Sequence, residues 1–387
     1  MTHRPYPVAR PFWTPGTLVM LALMLGMAAT LVFRYTFGLG AVTNLNNHYP
    51  WGIWIGLDVA SGVALAAGGF TTAFLAHILG RHRYEAVTRP ALLTAALGYT
   101  FVALAVCFDI GRSWAIWKPV FYQNHNSALF EVAMCVMAYV TVLWIEFVPA
   151  LAARLGDRIP PLAFLNRILD KTMWVFIILG VVLSCMHQSS LGTLLVIAPT
   201  KVSPLWYTPL LPLLFLTSAF AVGYPMVVVE TTIATSSLGL ESEMDVLAPL
   251  SRITILLLGV YMAIKIGDLV YRDAWHSLLD GSAQSNSFLA EVGLGVVLPW
   301  CMLLFRAVRT SRRLLFTAAL LIVAGVLLNR FNVFVVSFNA PYATEPYYPA
   351  IGEVLVTAGA VATIFFLYRV FVTWFPVLSA QRQEVSR

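Results

Sequence analysis

Apolar residues run along this chain in ten stretches, each long enough to cross a bilayer and each bounded by short polar segments. Read from hydropathy alone, the spans are Thr17 to Phe37, Trp51 to Leu79, Ala91 to Ile110, Ser127 to Leu151 and Met173 to Leu195. The second half adds Leu210 to Thr235, Ile253 to Tyr271, Ser287 to Leu304, Leu314 to Asn329 and Tyr348 to Trp374. Backbone N–H and C=O groups in hydrocarbon must be satisfied within their own segment, so stretches of this length predict helices. Runs of small residues such as Ala60 to Gly69 (ASGVALAAGG) let helices approach closely. The pattern predicts an all-α polytopic membrane protein: one bundle of ten transmembrane helices over residues 1–387.

Composition agrees with that reading. The 387 residues are 59% hydrophobic and 11% charged, with a mean hydropathy of +0.81, whereas soluble domains carry about 25% charged residues. A net charge of +6 makes no continuous basic patch, so nucleic acid is not an expected partner. Cys107, Cys135, Cys185 and Cys301 stand singly within apolar stretches, without metal-site spacing. They read as small buried hydrophobes, and neither a metal nor an iron-sulfur cluster is expected in this chain. The first apolar run lacks a clear cleavage site and reads as a span rather than a signal peptide.

Charge gives the orientation. Arg4, Arg10, Arg81, Arg83, Arg89, Arg154, Arg158, Arg167, Lys171, Arg252, Arg306, Arg309, Arg312, Arg313, Arg382 and Arg387 border one set of loops and the two tails, and only Arg112, Lys118, Lys201 and Arg272 border the other. The positive-inside rule places both termini in the cytoplasm.

Given that topology, most ionisable residues at membrane depth crowd toward the outer face: Arg34, Asp58, Asp109, Arg112, Glu131, His187, Lys265, Asp268, Arg272, Glu291, Arg330 and Glu353. Only Glu146, Glu230 and Arg369 stand toward the inner side. A charge in the bilayer core costs about 2.5–3.5 kcal/mol on the insertion scale, so the clustering calls for a reason. One reading is a set of ion pairs between helices. The other is a polar pocket below the outer surface, walled by Trp51, Trp54 and Tyr271, for a flat lipophilic redox molecule such as a quinone. Its carbonyls would need proton donors and acceptors.

Spacing adds detail. Lys265 and Asp268 share a helix face and can pair within it. Asp58 has Trp51 and Trp54 on its own face but no cation in its span. His187 opens a polar run, MHQSS, in an apolar stretch. Any coupling to the inner side would run through Glu146 and Glu230, unless these pair with inner-loop arginines such as Arg154. A bis-histidine haem is disfavoured, because only His77 and His187 lie at membrane depth and they fall in opposite leaflets.

The segments Asn46 to Gly62 (NNHYPWGIWIGLDVASG), Phe108 to Arg112 (FDIGR), Ser127 to Cys135 (SALFEVAMC), Met186 to Leu194 (MHQSSLGTL), Gly267 to Asp273 (GDLVYRD) and Phe338 to Val354 (FNAPYATEPYYPAIGEV) carry a resemblance. The chain resembles the quinone-reactive membrane subunits of the polysulfide reductase and formate-dependent nitrite reductase type, most closely the cytochrome b-type subunit of membrane-bound nickel-iron hydrogenases. The resemblance implies a haem-free subunit of the bacterial inner membrane. Such a subunit passes electrons between menaquinone or ubiquinone and a periplasmic ferredoxin-like iron-sulfur protein, which serves nickel-iron hydrogenase large and small subunits. On the matching motifs it implies Asp58, Glu131 and His187 as proton-exchanging residues, with Trp54, Asp109, Arg112 and Gln188 lining the quinone. A secondary transporter, or a purely structural anchor, is the alternative that the charges alone leave open.

Overall fold

A computed structural model describes residues 6–8, 11–241, 243–343 and 345–378. The ten spans are helices, here labelled α1 (Pro15–Phe37), α2 (Trp54–Ile78), α3 (His82–Asp109), α4 (Ala128–Leu155), α5 (Pro160–Val196), α6 (Leu211–Leu238), α7 (Met244–Tyr271), α8 (Ala283–Leu304), α9 (Arg312–Val336) and α10 (Ile351–Trp374). The chain is a polytopic integral membrane protein. Among the described residues the extended contacts are two isolated bridges, Tyr6 with Leu378 and Val202 with Phe338.

Local chemistry explains where helices start and stop. Thr14 and Thr17 cap each other's backbone N–H at the head of α1, with Pro15 in the first turn. Gly239 ends α6 in the left-handed region at φ 61°. Long connections (38–53, 110–127, 197–210, 272–282, 337–350) gather at one end of the bundle, and short ones (79–81, 156–159, 239–243, 305–311) at the other. These ends are called the long-loop and short-loop faces. Most of the loop arginines border the short-loop face; Arg4, Arg10, Arg382 and Arg387 lie outside the described residues. Helices also project beyond the apolar stretches there. The 37 residues of α5 span about 55 Å, against about 30 Å of hydrocarbon.

α2 to α5 pack as one four-helix group and α6 to α9 as a second, while α1 lies along α10. α2 sits at the junction and is 83% buried, against 11% for α1, so its neighbours are protein rather than lipid. Gly295 of α8 and Gly325 of α9 cross so closely that a Cβ on Gly295 would lie 2.3 Å from the Gly325 Cα. Of the cysteines, Cys135 is buried, Cys107 and Cys185 are half-buried, and Cys301 is exposed on the bundle surface, contrary to the expectation that all four are core residues.

Four segments widen into π-helix: Trp54–Val59, Phe74–Ile78, Gly293–Val297 and Asn332–Val336. The first contains Asp58, and the last two begin two residues after Glu291 and Arg330. A π turn inserts one extra residue and re-aims the side chains beside it.

Candidate functional site

At the long-loop end α2 and α10 are joined by two rungs one turn apart. The Trp54 indole, 1% exposed, donates to the Glu353 carbonyl at 3.1 Å, and the Thr357 hydroxyl donates to Asp58 Oδ2 at 2.8 Å. The Glu353 carboxylate is fully buried and accepts from the Asn44 N–H at 3.1 Å, the Ala350 N–H at 2.8 Å and the Tyr347 hydroxyl at 2.5 Å. Burial and that carboxylate push the Tyr347 phenol well above the usual tyrosine range. Gly52 is required here, because a Cβ would stand 2.4 Å from the Tyr347 hydroxyl and 2.6 Å from Glu353 Oε1. Asp109 ends α3 with Oδ1 buried and without a partner, and Glu353 and Arg34 are the charges acting on it. Arg34 reaches from α1 to cap α3: its guanidinium donates to the carbonyls of Phe108 at 2.8 Å and Ile110 at 2.5 Å, and to the Ser113 hydroxyl at 3.2 Å. A cation at a helix C-terminus is worth about 0.3–1 kcal/mol, up to about 2 when partly buried.

One to two turns deeper, α2, α3, α4 and α5 enclose a second polar group. His187 is fully buried, its ring 5.6 Å from that of Tyr99, which meets Tyr139 edge-on at 4.5 Å. Both His187 nitrogens lack a hydrogen-bond partner, as does the Ser61 hydroxyl, while the Tyr99 hydroxyl faces Ser184 and Gln188 and the Tyr139 hydroxyl faces Ser184. The Gln188 amide donates to the Val63 carbonyl at 2.8 Å, tying α5 to α2 five residues beyond Asp58. Ser190 donates to Glu131 Oε1 at 2.6 Å, which links the exposed Glu131 to the His187 helix. Buried polar atoms are nearly always paired, and each left unpaired costs about 1–3 kcal/mol. An unpaired imidazole set among these hydroxyls therefore has the chemistry to engage a small polar group and pass protons.

The predicted residues thus fall into two adjoining layers. Asp58, Trp54 and Asp109 belong to the upper, and His187, Gln188 and, through Ser190, Glu131 to the lower. Arg112 stands apart, exposed in the connection after α3, its side chain without a hydrogen bond or ion pair among the described residues. The three aromatics expected to wall one pocket do not share one. Trp51 packs on Phe334 and Phe338, Trp54 is a buried strut, and Tyr271 is 90% exposed on α7. Sequence reasoning missed Thr357, Tyr347 and Tyr99, since uncharged hydroxyls in apolar helices give no signal until a partner helix is known.

The second four-helix group carries its own network. Lys265 pairs with Glu291 of α8, not with Asp268 as spacing suggested, and Asp268 pairs with Arg272 at 2.8 Å and accepts from Thr208 at 2.7 Å. Glu291 also accepts from Trp206 at 2.8 Å, Asn329 at 2.8 Å and Asn332 at 2.9 Å. Arg330 is fully buried, stacked 3.8 Å over Phe215 and bonded to Asn329, Ser218 and the Phe215 carbonyl. A cavity of about 20 Å³ adjoins Lys265, Asp268 and Asn329. Nearly every polar atom here has a partner, which marks a structural network.

Toward the short-loop face, Glu146 packs against Gly180, and Glu230 faces Thr94 and Tyr368. Neither forms an ion pair with Arg154. His77 is exposed at that end of α2, while His187 is enclosed in the long-loop half.

With this geometry in place, comparison with known proteins is decisive. The sequence profile of the polysulphide reductase, NrfD family matches residues 41–341. The chain belongs to the NrfD family. The matched segment runs from α2 through α9, so it covers both four-helix groups, and α10, which supplies Glu353 and Thr357, lies beyond it. NrfD-family relatives include the probable Ni/Fe-hydrogenase 2 b-type cytochrome subunit of Escherichia coli K12, 34% identical over 99% of this chain and 97% of the relative. The integral membrane subunit of the menaquinone reductase of Nitratidesulfovibrio vulgaris Hildenborough is 27% identical over 90% and 88%. A component of the polysulfide reductase of Wolinella succinogenes is 24% identical over 74% of this chain and 92% of its own length. This NrfD-family protein is accordingly similar throughout its length to membrane subunits of oxidoreductase complexes.

Proposed function

We propose that this chain is the quinone-reactive subunit of a respiratory complex of the bacterial inner membrane, exchanging electrons between menaquinone or ubiquinone and a periplasmic ferredoxin-like iron-sulfur subunit of a nickel-iron hydrogenase. The observation that carries the reading is the pair of polar layers in the long-loop half, where Asp109 Oδ1 and both His187 nitrogens are buried without partners. A quinone head group presents two carbonyl acceptors and, once reduced, two hydroxyl donors, and these side chains can meet either form. Reduction takes two electrons from the partner's cluster and two protons. Asp58, Glu131 and His187 hold or pass those protons, Trp54 and Gln188 set the spacing of α2 against α10 and α5, and Arg112 and Asp109 stand at the mouth. The length and 34% identity shared with the Escherichia coli hydrogenase subunit support the partner.

In this arrangement both termini and the short loops are cytoplasmic, and the long-loop face receives the iron-sulfur subunit. Reporter fusions after Arg83 and after Arg313 will report cytoplasm and one after Tyr342 periplasm, as the loop charges require. The reversed pattern would move the partner to the other side of the membrane.

The subunit carries no haem in this proposal, although its Escherichia coli relative is a probable b-type cytochrome subunit, because His77 and His187 belong to opposite halves of the bundle. The complex purified with its partners will transfer electrons to a short-tailed quinone and show no haem b in a pyridine haemochrome assay. Removing this chain will abolish quinone turnover while activity with a soluble viologen carrier survives. Quinone turnover persisting without this chain would sink the proposal, and one haem per chain would overturn the reading of the histidines.

A further inference from the structure

Between α4 and α5, at the short-loop end and remote from both polar layers, a cavity of about 450 Å³ opens to the bundle surface. It is lined by Ile145 of α4 and by Leu165, Ile168, Leu169, Thr172, Val175 and Phe176 of α5, almost wholly apolar. At about 100° per residue the α5 positions form one stripe roughly 120° wide, running some 16 Å along the helix. That stripe begins near the turn at 156–159 and ends at the depth where α4 places Ile145, so it crosses from headgroup level into hydrocarbon.

The rim is basic. Lys171 lies about 40° beyond one edge of the stripe, Arg167 lies one turn nearer the loop and about 80° beyond that edge, and Arg158 stands in the turn itself; all are exposed and none is engaged by an acceptor among the described residues. Asp170 lies about 100° beyond the opposite edge of the stripe and Asp157 beside Arg158 in the turn, and neither forms an ion pair with these cations among the described residues. By contrast Arg83, Arg89, Arg312 and Arg369, also at this face, are tied to backbone or hydroxyl oxygens of neighbouring helices. Helix geometry tilts the Lys171 and Arg167 side chains toward the N-terminus of α5, which is toward the loop and the phosphate level of a bilayer. An apolar slot of acyl-chain dimensions beneath unengaged cations is complementary to one class of molecule.

We propose that the α4–α5 groove is a binding site for an anionic phospholipid of the short-loop leaflet, one acyl chain lying along Leu169, Thr172 and Phe176 and the phosphate held by Lys171, Arg167 and Arg158. The site is separate from the quinone layers and does not depend on them. Bound there, the lipid fills the groove between α4 and α5 and braces the helix that carries His187.

The test is native mass spectrometry of the full chain in mild detergent, titrated separately with dioleoylphosphatidylglycerol and dioleoylphosphatidylcholine. The expected result is preferential retention of one phosphatidylglycerol. Arg167→Gln with Lys171→Gln will weaken that retention by about 30-fold, since each basic residue at a headgroup contributes about fivefold. Thr172→Trp, which fills the slot without touching a charge, will abolish it, whereas Arg306→Gln with Arg313→Gln at another short loop will leave it intact. Equal retention of the two lipids, indifference to both the paired and the Thr172 changes, or displacement of the lipid by menaquinone would each overturn the proposal. Circular dichroism of every variant separates loss of the site from loss of the fold.

Discussion

Asp58→Asn is expected to lower quinone-linked turnover of the intact complex by about 10²-fold or more, the range lost with a general acid or base, while partner activity with a soluble carrier stays at its original level. The substitution is nearly isosteric, and the amide oxygen can still accept from the Thr357 hydroxyl that now lies 2.8 Å from Oδ2, so the α2–α10 rung survives. What disappears is the group that binds and releases a proton. His187→Ala should act in the same sense, with the added cost of a cavity beside Tyr99. Thr357→Val serves as the comparison, because it frees the carboxylate from its positioning partner without removing it. If Asp58→Asn and wild type turn over quinone equally, or if both activities fall together in an intact complex, the acid is not at the quinone.

Glu291→Ala is expected to be the most destabilising single change in the protein, at about 3–5 kcal/mol, the usual cost of removing one member of a buried ion pair. Glu291 is 1% exposed and Lys265 7%, and the carboxylate also satisfies the N–H groups of Trp206, Asn329 and Asn332. Its loss leaves a buried cation and three orphaned donors in a packed interior that has no water to supply. Removing both charges in Glu291→Ala with Lys265→Met should recover part of the loss, as a double-mutant cycle on thermal unfolding in detergent will measure. An unfolding temperature for Glu291→Ala within a degree of wild type would show that the network contributes little. The pairing also distinguishes the two halves: the Lys265–Glu291 and Asp268–Arg272 ion pairs lie in α7 and α8, whereas His187 and Asp109 Oδ1 in α2 to α5 are buried without partners.

Much of this molecule was legible from hydropathy. The apolar stretches end within a few residues of α1, α2, α4, α6, α8 and α10 at most boundaries, because a bilayer leaves a buried backbone no alternative to the helix. The longer reach of α5, from Pro160 rather than Met173, was not legible, since an amphipathic helix at headgroup depth carries charges like any loop. Asp58, Asp109, Glu131 and His187 stood out for one reason: their ionisation in hydrocarbon is costly enough to be conspicuous in a row of letters.

Partnerships between helices were of a different kind. Local spacing offered Lys265 to Asp268, three residues away, and the fold gave it instead to Glu291, because the packing of α8 against α7 brings that carboxylate to the ammonium while Arg272 takes Asp268. Thr357 and Glu353 became the supports of Asp58 and Trp54 only because α10 meets the first turns of α2, and nothing in either segment encodes that neighbour. The π turns at Trp54–Val59, Gly293–Val297 and Asn332–Val336 shift the register of helices whose apolar periodicity is unbroken. Composition and period therefore settled that the backbone is helical, how often it crosses, and which residues are too polar for their depth, since each of these is a local cost against the bilayer. Which acid meets which base, and which polar atoms stay unpaired, were decided by the tertiary structure, because those are energies of side chains brought together from distant parts of the sequence.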